Sequence, residues 1–65
     1  MEKSILLLQT EIMILSHLRN SITETVQAMK GRISYESMHH LNSAARELEK
    51  DMIFKNIEIQ RLQGL

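Results

Sequence analysis

The chain contains no cysteine and no proline, and only two glycines, Gly31 and Gly64. Without cysteine it has neither disulfide staples nor thiolate metal sites, and the absence fits a reducing compartment. Without proline, and with glycine confined to two positions, little in the sequence interrupts a helix. Charge of either sign is not in excess: eight basic residues balance eight acidic ones. That balance argues against a general binder of nucleic acid or anionic membrane, which would carry a basic surplus. Long apolar runs are missing too. Ile5 to Leu8 and Ile12 to Leu15 are separated by Gln9, Thr10 and Glu11, so the stretch is too short and too polar to span a bilayer. It also lacks a small-residue cleavage site, because His17, Leu18 and Arg19 follow it. The N-terminus therefore reads as mature structure and the expected location is the cytoplasm. No glycine-rich phosphate loop is present.

What the sequence does contain is helical periodicity on either side of Gly31. Ile5, Leu8, Ile12, Leu15, Ile22, Val26 and Met29 follow the alternating three-and-four spacing of a coiled-coil seam, with Arg19 as the break. Met38, Leu41, Ala45, Leu48, Met52, Ile59 and Leu62 repeat the rule, with Lys55 as the break. Gly31 suits a left-handed C′ position. Ser34 suits an N-cap, flanked by Ile33 and Met38 at the hydrophobic-staple positions. Ser4 is a candidate cap for the first helix, and Gly64 a stop for the second. The expected fold is all-α, an antiparallel two-helix hairpin in one unit spanning residues 1 to 65, with helix one over about 4–30, a turn at 31–34 and helix two over about 35–63.

Folded at Gly31, the chain has apolar residues to spare. Near the turn the outward positions are polar: Asn20, Ser21, Thr23, Glu24, Asn42, Ser43 and Arg46. Near the open end they are not. Leu6, Leu7, Met13, Ile14 and Leu18 of helix one, and Ile53, Phe54 and Ile57 of helix two, lie off the seam. Full burial of each such side chain is worth roughly 1.5–3 kcal/mol, so leaving them wet costs more than a small domain's margin of stability. A chain this small also needs a staple, a metal or a partner. These eight residues are the expected protein interface.

Chemistry-bearing residues do not assemble into a second kind of site. His39 and His40 are neighbours and point about 100° apart on a helix, which is unsuited to a same-face metal pair; His17 lies on the other helix. Arg46, Glu47, Glu49, Lys50 and Asp51 read as a solvated helix face, with Arg46–Glu49, Glu47–Lys50 and Asp51–Lys55 at ion-pairing spacing. Two helices build no concave pocket, and no nucleophile stands beside the carboxylates. No catalytic residue, metal or cofactor is expected.

The chain resembles the small YscE/SsaE-type co-chaperones of type III secretion. The likeness lies in Met29-Lys30-Gly31 at the turn and in Ala45-Arg46-Glu47-Leu48-Glu49 with Met52 in the second helix. The resemblance implies a bacterial cytosolic hairpin that pairs with a helical-repeat chaperone and keeps the needle subunit unpolymerised. A second likeness is to the helical-hairpin phosphatases of sporulation response regulators. Their Ser-Gln-Glu-Leu-Asp hallmark stands here as Ala45-Arg46-Glu47-Leu48-Glu49, with serine and aspartate both replaced. A third is to the homodimeric RNA-binding copy-number hairpins of plasmids, four-helix bundles made of two copies. The balanced charge speaks against RNA but not against a dimer.

Overall fold

The computed structural model describes residues 2–64, side chains from residue 3 onward. Helix α1 runs Glu2–Ala28 and helix α2 runs Tyr35–Leu62. They pack against each other as an antiparallel hairpin with extents of 47 × 14 × 11 Å. The radius of gyration is 14.9 Å, against about 11 Å for a globule of this length. The protein is a rod one layer thick.

The seam lies where the periodicity places it. Among the seam residues, Val26, Met52 and Ile59 are buried and the others half-buried. Among the described residues no side chain is sealed from solvent on all sides, because two helices cover only one stripe of each other. The breaks in the seam turn out to be interhelical ion pairs. Arg19 Nη1 donates to Glu49 Oε1 at 3.4 Å, and Lys55 Nζ donates to Glu11 Oε1 at 3.4 Å. Two of the pairings expected along helix two therefore give way. Glu49 is held across the hairpin by Arg19, while Arg46 donates instead to Ser43 Oγ at 3.2 Å. Lys55 reaches Glu11 on the opposite helix and not Asp51 on its own. Glu47–Lys50 is present at 3.4 Å. The basic side chains choose the partner across the seam because closing the hairpin brings it within reach while the seam itself shields the stems.

The turn also departs from the expected pattern in detail. Helix α1 ends at Ala28, earlier than Lys30, and Met29 still donates to Thr25 O at 2.9 Å. The Arg32 amide then donates to Met29 O at 2.8 Å, closing a four-residue turn with Gly31 in its third position at φ 81°. That position needs the left-handed region, which glycine enters freely. Gly31 thus serves a β-turn and not a helix C′ motif. Ser34 caps α2 as expected: its Oγ accepts from the Ser37 amide at 3.1 Å. Ser4 does not cap α1, because the helix begins before it and Ser4 lies within the first turns. At the far end Gln63 donates to Ile59 O at 3.0 Å, Gly64 donates to Arg61 O at 3.1 Å, and Gly64 has φ 78°.

Candidate protein-binding surface

The eight off-seam residues all remain exposed. Leu6, Leu7, Met13, Ile14, Leu18, Ile53, Phe54 and Ile57 keep between 47% and 67% of their surface. Among the described residues the only other large apolar side chain so exposed is Tyr35, at 82%. Tyr35 sits at the turn, away from the rest, where it stacks on His39 with ring centroids 6.4 Å apart. The sequence reading did not single it out, and a lone aromatic just after an N-cap carries no periodic signal. His39 and His40 splay as adjacent helical residues must, their rings inclined by 57°. Among the described residues no group of His, Cys, Asp or Glu is arranged to hold a metal ion.

Consecutive helical residues point about 100° apart, so the pairs Leu6–Leu7, Met13–Ile14 and Ile53–Phe54 straddle the rod. The grooves between the helices show which way each points. One groove, of about 780 Å³, is lined by Leu8, Glu11, Ile14, Leu15, Asp51, Phe54, Lys55 and Glu58. A smaller one, of about 360 Å³, is lined by Ile12, Arg19, Glu49, Met52, Ile53 and Asn56. Ile14 and Phe54 thus share a first flank, which Leu7 continues one heptad before Ile14 and Leu18 four residues after it. Ile53 lies on a second flank, and Leu6 and Met13, one residue before Leu7 and Ile14, are turned about 100° from them around the outside of α1 toward that side. Ile57 occupies the outer edge of α2. The apolar surplus is therefore divided between two flanks and is not one continuous patch.

The flanks differ in charge. The first groove holds three carboxylates and one lysine. Glu11 is tied to Lys55, Glu58 to Arg61 at 3.3 Å, and Asp51 has no cation within ion-pair distance among the described residues. The second groove holds one acid and one base, Glu49 and Arg19, already bonded to each other. The first flank is an apolar strip with an acidic border and the second an electrically balanced one. Both grooves are shallow and open to solvent, and the carboxylates on the first are spread along a helix. Such surfaces hold another side-chain layer; they do not enclose a small substrate.

No helix among the described residues is long and apolar enough to cross a membrane. Compared with family models, curated proteins and solved structures, the chain matches none.

Proposed function

We propose that this protein is a non-catalytic protein-binding module that lays the first flank of its open half on a larger helical protein. Following the likeness at the turn and second helix, it acts as a bacterial cytoplasmic co-chaperone of type III secretion. Its partner is a helical-repeat chaperone, and together they keep the needle subunit soluble. The observation that carries the binding role is the set of apolar side chains left uncovered at one end of a one-layer fold. Phe54, the most exposed of them at 67%, stands over a groove bordered by Asp51 and Glu58. The matching partner surface is an apolar helix face with basic residues at its margin. Large aromatics in such positions anchor interfaces, while rim charges set orientation and rate of encounter. Each protein then stabilises the folded form of the other by mass action.

Purification of the tagged chain from its own cell tests this reading. A stoichiometric helical-repeat chaperone is expected, and Phe54→Asp is expected to weaken its retention at least tenfold at unchanged helix content. A variant that binds as tightly as the parent refutes the placement of the interface. Recovery without any such chaperone refutes the co-chaperone role.

A further inference from the structure

We infer that the second flank is a self-association surface, through which two copies of this chain join by their open ends into an elongated antiparallel dimer. The inference is independent of the partner proposed for the first flank.

The chain's surface area comes first. The hairpin exposes 5173 Å², whereas a compact monomer of 7.6 kDa exposes about 4,300 Å². The excess of roughly 900 Å² is what one partner contributes to an interface of standard size. Charge decides which flank a second copy takes. An isologous contact sets each residue of a patch near its own equivalent across a two-fold axis. On the first flank this would gather the Asp51, Glu58 and Glu11 carboxylates of both copies; Glu11 and Glu58 are offset by Lys55 and Arg61, and Asp51 has no cation within ion-pair distance among the described residues. Among the described residues that line the second groove the charges are Arg19 and Glu49, which neutralise each other at 3.4 Å. A formal net charge of zero leaves no long-range repulsion between copies.

The spacing of the apolar residues completes the case. Leu6 and Met13 stand one heptad apart on the second flank, with uncharged Gln9 between them. An axis passing beside Gln9, perpendicular to the rod, sets Leu6 against Met13 of the second copy in both halves at once. The antiparallel register, pinned by Lys55–Glu11 and Arg19–Glu49, brings the same axis on α2 close to Asn56, so that Ile53, about one helical turn away, lies within the overlap of the two copies. The turns point outward in opposite directions. With a rise of about 1.5 Å per residue, only the open ends overlap, and the dimer is roughly 70 Å long, against 47 Å for one hairpin.

Sedimentation of the full chain across a concentration series tests the inference, with helix content measured in parallel. The parent is expected to reach twice 7.6 kDa. Ile53→Asp is expected to shift the monomer–dimer midpoint at least tenfold upward in concentration, while Phe54→Asp, one residue away on the other flank, leaves it within about twofold. Both positions are exposed, so neither change removes a core contact. Gln9→Cys, the sole thiol in the chain, is expected to form a covalent dimer on mild oxidation, and Asn42→Cys near the turn is not. A parent that stays monomeric throughout overturns the inference. So does dissociation by Phe54→Asp with Ile53→Asp silent, or equal crosslinking at both thiols. Chaperone binding that survives Ile53→Asp but not Phe54→Asp keeps the two proposals apart.

Discussion

Replacing Gly31 by alanine isolates the backbone energy of the turn that closes the hairpin. A Cβ built at this glycine meets nothing within 4 Å, so the substitution introduces no collision with another part of the protein. The cost comes from the dihedral alone: at φ 81° an L-residue is disfavoured by about 1–2 kcal/mol. Alanine also narrows the unfolded ensemble, which returns about 0.4–1 kcal/mol. Taking the middle of each range, the net expectation is a loss of roughly 0.8 kcal/mol. D-alanine at the same position favours positive φ and keeps the unfolded-state gain, so it should stabilise by about 0.4–1 kcal/mol. A chain of this length is accessible to chemical synthesis, and urea unfolding followed by circular dichroism reads both variants. With a slope near 1 kcal/mol per molar urea, the midpoint should fall by about 0.8 M for L-alanine and rise for D-alanine. All three proteins must be compared at one concentration, because association adds to apparent stability. An L-alanine variant at or above the parent midpoint, or a D-alanine variant below it, would show that the chain does not turn through a left-handed Gly31.

Two further substitutions probe the seam. Leu48→Asp places an unpaired carboxylate between the helices; cooperative unfolding should disappear at neutral pH, and a retained sharp transition would mean that Leu48 is not a seam residue. Lys55→Leu fills the break in the second helix's seam. It removes a pair whose side chains are 30% and 41% exposed, and pairs that open to water contribute at most about 1 kcal/mol. A gain of about 1 kcal/mol in urea unfolding is expected from the added apolar burial, and a lower midpoint would show that the Lys55–Glu11 contact matters more than its exposure indicates.

Much of this architecture is legible in the sequence because helical periodicity is a local property. The seam residues, the turn around Gly31, the Ser34 cap and the surplus at Leu6, Leu7, Met13, Ile14, Leu18, Ile53, Phe54 and Ile57 all follow from spacing along one chain. The helix ends were less legible. Ser4 and Lys30 carry the right chemistry for boundaries, but α1 starts before the one and stops before the other, since a terminal turn is held by few bonds and several residues serve nearly as well.

Sequence alone determined that the chain forms two amphipathic helices joined at Gly31, and that one half bears more apolar residues than a single seam can bury. It did so because each helix's face is set by residues three and four apart. Only the tertiary structure decided that Arg19 holds Glu49 and Lys55 holds Glu11, and that the surplus divides into an acidic-bordered flank and a neutral one. Those outcomes depend on how far each helix is rotated about its own axis when the two close, and that rotation is set by packing across the seam.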